Sequence, residues 1–477
     1  MTIEDDSYAN NITNNGLLNI KAVDGKATED TTPSITGDVI TNAGATTFVW
    51  AHADISAADF TVAGNVYFDG SHGASNSLNY QVNSLDMQGG SVFLDPTNYS
   101  SLTTDTLSGS GNFYINTSIG EMKGSTINIT GTDSGNFNVY ATDSGVSPVN
   151  DDPLRVVTAN GGTAEFKLAN KGSVVDAGTY EYHLVTDGNG NGNWDLSTGS
   201  TPPAPPETAP AYTPSTSAVL SMAVTEPIIN DVEMHTVRDR VDAVRDTSHD
   251  LNVWARYIGN KQSVNNNAAG FYMNLNGVML GADASKDFAN SHLTVGGIVG
   301  DTNSDVDFDK DGSGNVDSLS TGGYLSWMNN SGYYVDSIVK VNKFKDGVNA
   351  TMTSGGAADG DYNQNGLSGH LEAGKYFTYD RSFVAPYVAV TGFTTDHDNY
   401  NLSNGMKADV SSVNSLVVES GVNLGTRINV RSAELKPYLK LAVAYELVND
   451  NIVQVNDDRL EDNMSDVTGI YDAGINA

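Results

Sequence analysis

The sequence predicts an all-β protein in two parts, a parallel β-helix followed by a β-barrel, and three observations support this fold class. The 477 residues include 49 glycines and abundant Asn, Ser and Thr, a composition typical of strands and tight turns. Short apolar segments recur at a regular spacing before Pro202. After Val253, apolar and polar residues alternate along successive segments, which is the period of half-buried strands.

Composition also limits the classes of function. The net charge of -34 disfavours nucleic-acid binding, because a phosphate-binding surface needs clustered Lys and Arg. Zero cysteines exclude disulfides and thiolate metal sites, and fit a chain that crosses an oxidising compartment unfolded. The chain contains no apolar run long enough for a transmembrane helix, and its first residues, "MTIEDDSYAN", do not resemble a signal peptide. We therefore expect any export signal to lie upstream of Met1 or to be absent.

The first part, residues 1–198, is predicted to be a β-solenoid. Similar units such as "SGNFYI" and "SGNFNV" recur at steps of roughly 21 to 29 residues, the period at which stacked coils bury one another's apolar faces. A β-sandwich with similar strand spacing is the alternative. Ser, Asp and His residues occur without the spacing of a catalytic motif, so no catalytic residue is predicted. The large side chains predicted to stack inside the solenoid are Phe113, Phe137, Phe166 and Trp194.

Residues 199–223 are predicted to be a linker. The stretch "STPPAPPETAPAYTPS", residues 200–215, is rich in proline and polar residues, and such segments form extended spacers of about 3.1 Å per residue. We expect this segment to separate the two parts of the protein.

Residues 224–251 are predicted to form a charged helix, with Thr225 as the N-cap and Pro227 in the first turn. Several Arg and Asp side chains occupy the remaining faces of this helix. Its apolar stripe consists of Met234, Val237, Val241, Val244 and Leu251.

The second part, residues 252–477, is predicted to be an outer-membrane β-barrel of ten strands. Short turns at 329–332, 379–382 and 429–434 alternate with long polar connections at 301–317, 346–365 and 395–413. Only closed barrels satisfy every backbone group in lipid, and they show this alternation of short turns and long loops. A soluble barrel or sandwich is the alternative. The aromatic residues predicted to form interfacial girdles are Tyr257, Trp327, Tyr333, Tyr334, Phe377 and Tyr445.

One of these connections, "DFDKDGSGNVDS" at residues 307–318, resembles a calcium-binding loop. Asp307, Asp309 and Asp311 match the first, third and fifth positions of a twelve-residue loop. Ser313 offers a carbonyl at the seventh position and Asn315 a side chain or bridged water at the ninth. The last position lacks the bidentate Glu, so we expect weak binding of Ca²⁺, in the millimolar range of extracellular modules. A solvated acidic turn is the alternative, and no other cofactor is predicted.

The order of these segments resembles the C-terminal part of autotransporters of the type V secretion class. "VRDRVDAVRDTSHDLNVWARYIGNKQ", "HLTVGGIVG", "HLEAGKYF", "FVAPYVAV" and "KPYLKLAV" are similar to the family's translocator barrel. The segment from "GSGNFYINTSIGE" to "GNGNWDLS" resembles the end of a pertactin-like passenger, with an autochaperone region at about 103–198. The resemblance implies a right-handed β-helix, a helix inside the barrel lumen, and a linker that joins passenger to anchor.

Two departures from the family pattern shape our expectations. The family barrel has twelve strands and ends in an aromatic residue, whereas ten strands are counted here and the last ends in "DAGINA", so we expect a fragment truncated at both ends. Some members cut themselves at an Asn-Asn pair in the helix. Here the helix contains only Asn230-Asp231, so we do not expect self-cleavage at this position.

The resemblance implies a non-enzymatic protein of the Gram-negative outer membrane that exports its own passenger and displays it, as an adhesin. Its implied partners are outer-membrane lipid, the barrel assembly machinery and host-cell or bacterial surface ligands, and we expect a monomer. One alternative is the anchor of a surface protease or esterase whose catalytic part lies upstream. A free-standing soluble β protein is the other.

Overall fold

The computed structural model describes residues 1–4, 7–21, 33–50, 53–69, 78–146, 148, 152–199, 211–245, 250–264, 270–430, 433–449, 451–461 and 467–476. The chain divides into two compact units, Met1–Thr213 with Met352–Gly356, and Pro214–Thr351 with Ala357–Ala477. The division after Thr213 falls inside the predicted linker.

The first unit is a β-solenoid built mainly from parallel strands. Asn79 pairs with Ser101, which pairs in turn with Thr126, and both steps fall within the predicted repeat length. The predicted solenoid is therefore confirmed. Two short 3₁₀-helices, Ile119–Glu121 and Lys171–Ser173, interrupt the strands. The strands are β1 Thr2–Ile3, β2 Tyr8–Asn14, β3 Leu17–Ile20, β4 Ser34–Thr41, β5 Thr46–Trp50, β6 Asp54–Val62, β7 Asn65–Asp69, β8 Asn79–Leu94, β9 Ser101–Ser118, β10 Lys123–Gly124, β11 Thr126–Asp143, β12 Leu154–Thr158, β13 Thr163–Leu168, β14 Val175–Ala177, β15 Tyr180–Thr186 and β16 Trp194–Ser197.

The solenoid interior contains the four aromatic residues that the sequence predicts there. Phe113 and Phe137 are buried, with ring centroids 5.7 Å apart. Phe166 lies 5.3 Å from Phe137, and Trp194 lies 6.0 Å from Phe166. Gly135 permits this close stacking of rungs, because its φ is 114° and a Cβ there would lie 1.9 Å from the carbonyl oxygen of Gly109.

A second column of rings, which the sequence analysis did not predict, runs along the partly exposed face of the same strands. Phe48, Tyr67, Phe93, Tyr114 and Tyr140 stack in this order, and we call them the outer aromatic column. Successive ring centroids are 4.8, 4.3, 4.3 and 4.6 Å apart, and the last three pairs are within 9° of parallel. The two residues of each stacked pair lie directly opposite each other on adjacent parallel strands, as Tyr114 and Tyr140 do.

Antiparallel strands close the C-terminal end of the solenoid. β16 pairs with β12 on one side and β15 on the other. Arg155 of β12 donates hydrogen bonds to Asp195 of β16 and, at 3.2 Å, to Asp187. Asp187 also accepts hydrogen bonds from the Asn193 side chain at 2.9 Å and the Asn189 backbone N–H at 3.0 Å. These bonds fix the last hairpin to the final rung, the position at which a solenoid needs a cap.

Two helices open the second unit, α1 Pro214–Ala223 and α2 Thr225–Val244. The prediction of an extended linker is wrong for residues 214–223, because all ten form a buried helix in which Pro214 takes the favourable first position. Residues 200–210 lie outside the described residues. No helix in the described part of the chain is long and apolar enough to cross a membrane.

The start of α2 differs from the prediction, but its apolar stripe is confirmed within the helix. Thr225 is the first residue of α2 rather than its N-cap, a position that Val224 occupies, and its hydroxyl donates to the Met222 carbonyl at 2.7 Å. Leu251 lies beyond α2 and is exposed. The buried members of the stripe are Met234, Val237, Val241 and Val244.

The second unit continues as an antiparallel sheet of ten long strands, as predicted. Among the described residues, β17 pairs only with β18, and β32 pairs only with β29. The short strands β23 and β28 extend two hairpin ends, and β25, β26, β30 and β31 form a separate four-stranded sheet. The strands are β17 Asn252–Val264, β18 Phe271–Phe288, β19 Ser291–Phe308, β20 Gly312–Asn329, β21 Tyr333–Thr351, β22 Ala357–Lys375, β23 Phe377–Tyr379, β24 Ser382–Thr395, β25 Asp398–Asn401, β26 Lys407–Val410, β27 Asn414–Thr426, β28 Ile428–Val430, β29 Ala433–Glu446, β30 Ile452–Val455, β31 Asp458–Glu461 and β32 Val467–Asn476.

The predicted long polar connections are wrong in two cases, since most of their residues belong to strands. β19 continues to Phe308 and β20 begins at Gly312, so only three residues connect them. β21 and β22 are likewise joined by five residues, Met352–Gly356. The third connection, residues 395–413, includes the hairpin of β25 and β26.

Five of the six predicted girdle aromatics are exposed on the outer face of the sheet. Tyr334 is the exception, with 2% of its surface exposed, and lies on the inner face. Strand alternation explains the difference, because Tyr333 and Tyr334 are consecutive in β21 and so point to opposite faces.

Replacing Phe137 with Ala is expected to lower the free energy of unfolding of the solenoid by about 3–5 kcal/mol, because a buried ring is removed from the aromatic stack. Urea-dependent proteolysis of the solenoid in the full chain measures the change. Tyr99→Ala, at an exposed loop position, is the control, with an expected effect within about 0.5 kcal/mol. A loss below about 1 kcal/mol for Phe137→Ala would contradict the prediction.

The cap predicts a loss of solenoid stability in acid. The Asn189 backbone N–H, the Asn193 side chain and the Arg155 guanidinium hold the pKa of Asp187 below its usual range. The stabilising contribution is therefore complete above the unfolded pKa, near 3.9, and is lost as pH falls through the lower folded pKa. We expect the melting temperature of the solenoid to fall less steeply in acid for Asp187→Asn than for the wild type. Equal acid slopes would disprove this role for Asp187.

Candidate functional site

The ten-stranded sheet has polar residues on its inner face and apolar residues on its outer face. In β21, "VDSIVKVN" places Asp336, Lys340 and Asn342 on the buried face, while Val339 is 56% exposed. Leu367 and Val388 are also more than half exposed on neighbouring strands. This pattern is the reverse of a soluble sheet and is typical of barrels that face lipid. We call the space enclosed by the inner face the lumen.

Helix α2 lies in the lumen, because its side chains bond to residues of seven strands of the sheet. These contacts run from Arg256 of β17 to Glu419 of β27. The sheet therefore curls around α2, and charged residues of the helix face charged residues of the strands.

The first of the lumen contact groups centres on Glu233. Its carboxylate accepts hydrogen bonds from Lys340 Nζ at 2.5 Å and Asn342 Nδ2 at 2.7 Å. The hydroxyls of Thr302 and Ser318 donate to its other oxygen at 2.8 and 3.0 Å. The side chains of Glu233 and Lys340 are fully buried. Both charges are therefore paired, and both carboxylate oxygens are hydrogen-bonded.

The second group lies further along the helix, at Arg238. Its guanidinium donates to Glu419 at 2.8 and 3.0 Å and to Glu372 at 2.9 Å. Tyr334 donates to Glu372 at 2.9 Å, and Lys440 lies 3.5 Å from Glu419. The charged side chains of Arg238, Glu372 and Glu419 are each 6% exposed, so solvent screens this pair of contacts only weakly.

Two more arginines continue the series toward the C-terminal end of α2. Arg240 makes a bidentate contact with Asp283 at 2.8 and 2.9 Å. Arg245 pairs with Asp336, and its guanidinium lies 3.8 Å from the centroid of the Tyr334 ring. Such planar stacking and bidentate pairing are properties that Lys does not reproduce.

One group of acidic side chains in the described residues could geometrically hold a metal ion. Ligand oxygens of Asp242, Asp336 and Glu372 lie within 4.8 Å of one another. Arg245 forms ion pairs with all three, so it already supplies positive charge at this position. The group is therefore part of the helix attachment.

The predicted calcium-ligand residues lie on the hairpin of β19 and β20. Asp307 is the second-last residue of β19 and pairs directly with Ser313 of β20. Asn315 also lies in β20, opposite Asp305. Asp309 and Asp311 lie in the connection, where their backbone groups bond to Gly270 and Thr351. The segment is a tight hairpin rather than an open loop, and Ca²⁺ binding by these residues stays a prediction.

The residue pattern did not predict the lumen contacts, although the family resemblance implied a charged helix in the lumen. The signal was present in the strands. "GHLEAGKY" contains Glu372 at an inward position between outward apolar residues, and "VDSIVKVN" contains Lys340 in the same setting. A charged residue at a position that alternation predicts to be buried needs a partner, and α2 provides it.

These contacts hold α2 inside the lumen, and the helix blocks the lumen. Each buried charge described above is matched by a charge on the facing element, and removing one partner would leave the other unpaired in a buried position. A polar lumen plugged by a helix, inside a sheet with an apolar exterior, defines an outer-membrane translocator domain.

Comparisons with known proteins identify the family. Residues 253–477 match the family described as "Autotransporter beta-domain", and residues 82–198 match "Pertactin". The chain belongs to the autotransporter family, as the sequence analysis expected. It lies in the outer membrane, and its passenger is exposed at the cell surface.

Three similar proteins illustrate the match. "Probable autotransporter YpjA" of Escherichia coli K12 is 38% identical over 471 residues, covering 89% of this chain and 31% of that protein. "Autotransporter adhesin/invasin TibA" of E. coli O78:H11 is 33% identical over 427 residues, covering 79% of this chain and 43% of that protein. The solved β domain of the Bordetella autotransporter BrkA is 26% identical, covering 43% of this chain and 84% of that structure, with a TM-score of 0.39. The chain spans less than half the length of these two relatives.

Replacing Arg238 with Ala is expected to destabilise the barrel by about 3–5 kcal/mol, because Glu372 and Glu419 would then be buried with one cationic partner fewer. Denaturant unfolding of the detergent-solubilised chain measures the loss, with heat-modifiable gel migration as an independent readout. Arg256→Ala is the matched control. Its ion pair with Asp239 is about one-third exposed, so we expect a cost below about 1 kcal/mol. Equal effects of the two substitutions would refute the argument.

Proposed function

We propose that the chain exports its own N-terminal solenoid across the outer membrane and displays it as an adhesin. The observation that carries the export proposal is the position of α2. The helix is attached inside the lumen by buried ion pairs, follows the solenoid in the chain, and precedes the first strand of the barrel. A chain with this order must thread through its own lumen when the preceding segment is exported.

Membrane insertion by the barrel assembly machinery is part of this proposal. The described sheet has two strands, β17 and β32, that each pair on one side only. Unpaired backbone groups in lipid cost several kcal/mol each, so strands that enter the membrane before their neighbours need an assembly partner that covers their edges during insertion.

Adhesion is supported by the name of one relative and by the form of the solenoid. TibA is an adhesin/invasin by name. The solenoid strands present long, regular faces, which suit contact with an extended surface.

We also propose that the chain has no enzymatic activity. Of its histidines, His183 contacts the Ser173 carbonyl at 3.2 Å, a backbone contact that serves no nucleophile.

Expression on whole cells tests both parts of the proposal. The chain is placed behind a signal peptide in a non-adherent Gram-negative strain, and a form lacking residues 1–198 is the matched control. We expect external protease to digest the solenoid of the full form on intact cells. We also expect the full form, but not the control, to increase attachment to epithelial monolayers.

The outcomes separate the two claims. A solenoid that stays protected from external protease while the barrel shows heat-modifiable migration would refute export. A solenoid that is digested, on cells that attach no better than the control, would refute adhesion and leave export supported.

A further inference from the structure

Most buried carboxylates of the lumen have a cationic partner, but two near the start of α2 do not. Glu233, Glu372, Glu419, Asp283 and Asp336 each pair with Lys or Arg. Glu226 of α2 and Asp346 of β21 form no ion pair with the described residues. Glu226 is fully buried and Asp346 is 3% exposed. All four of their carboxylate oxygens lack a hydrogen-bond partner.

The topology brings these two carboxylates to the same part of the lumen. Glu226 lies two helical turns before Glu233, on the same face of α2. Asp346 lies further along β21 than Lys340 and Asn342, the strand partners of Glu233. Helix and strand therefore run side by side past both positions, in opposite directions along the chain, which places Glu226 and Asp346 at the same end of this contact.

Two buried hydroxyls without hydrogen-bond partners lie on strands of the same part of the barrel. The hydroxyl of Tyr362, directly opposite Asp346 in the ladder, is buried and has no hydrogen-bond partner. The hydroxyl of Tyr400, whose ring stacks on Tyr362 at 4.6 Å, is in the same state.

Two amide oxygens extend this set. Asn230 Oδ1, one turn after Glu226 on the same helix face, lacks a partner. Gln364 Oε1, two residues beyond Tyr362 on the inner face of β22, also lacks one, although its Nε2 donates to the Asp396 carbonyl at 2.6 Å. The amide of Gln364 is therefore held with its oxygen free.

We propose that Glu226 and Asp346 hold a divalent, oxygen-preferring cation in the lumen, with Asn230 and Gln364 as neutral ligands. The charge of the two carboxylates matches that of one such ion. Carboxylate and amide oxygens are the ligands that Ca²⁺ prefers, and Ca²⁺ tolerates ligands from several elements because its coordination geometry is flexible. The ion takes the place that Lys or Arg occupies at the other buried carboxylates.

The site would attach the N-terminal end of α2 to β21. The four basic residues described above, Lys340, Arg238, Arg240 and Arg245, attach the rest of the helix, so the ion completes the series at the remaining end. It is distinct from the acidic hairpin at 307–318, whose aspartates are exposed.

Calcium titration of the full 477-residue chain in detergent tests the proposal. After treatment with EDTA, calorimetry is expected to show a saturable site in the lumen, and the double variant Glu226→Gln, Asp346→Asn is expected to weaken binding at this site at least tenfold. The matched control removes two exposed acids, Asp309→Ala with Asp311→Ala, and is expected to keep the wild-type affinity. Ca²⁺ should also raise the temperature at which heat-modifiable migration is lost, in the wild type and the control but not in the double variant.

A second variant keeps the test decisive if the double variant does not fold. Gln364→Lys places a permanent positive charge beside the carboxylates, so we expect it to fold without Ca²⁺ and to be insensitive to EDTA. Absence of binding by the wild type up to about 10 mM Ca²⁺ would overturn the proposal, because this exceeds the range of extracellular sites. Equal binding by the wild type and the double variant, or loss of binding only in the hairpin control, would overturn it as well.

Discussion

The second unit depends on the pairing of charge between α2 and the strands that surround it. A buried ion costs several kcal/mol unless it is paired and hydrogen-bonded. A helix with this many charges is therefore stable in the lumen only if the strands around it carry the opposite charges. Arg238 alone joins α2 to two strands, because it bonds to Glu372 of β22 and to Glu419 of β27, which lie 134 and 181 residues further along the chain. The same contacts therefore position the helix and fix the order of strands around it.

The two units place their apolar side chains on opposite faces of their strands. In the solenoid, large apolar residues such as Phe113 and Phe137 fill the interior, and polar residues face water. In the barrel, Val339 and Leu367 face outward, and Lys340 and Glu372 face inward. Both arrangements follow from the two-residue period of a strand, and only the solvent on each face differs.

Residue patterns predicted the class of fold better than the details of the site. The interior aromatics of the solenoid and the ten long strands follow from local periodicity, which one sequence displays directly. Strand length was underestimated because in β19 the inward Thr302 and Ser304 are as polar as the outward Asp301 and Asp305, so alternation gives no apolar contrast. The lumen pairs could not be derived, because they depend on strand register and on residues more than a hundred positions apart.

The outer aromatic column has a consequence for how the solenoid selects its pairing. Adjacent strands could slide past one another, since backbone hydrogen bonds form equally well in a shifted alignment. A shift by one residue would turn Tyr114 into the interior and expose Phe113, and a shift by two would place its ring beside Asn138 or Thr142 instead of Tyr140. Either error loses a stacked pair at every step from Phe48 onward. The column therefore favours the native register of each new coil, because a misaligned coil loses its stacking contact.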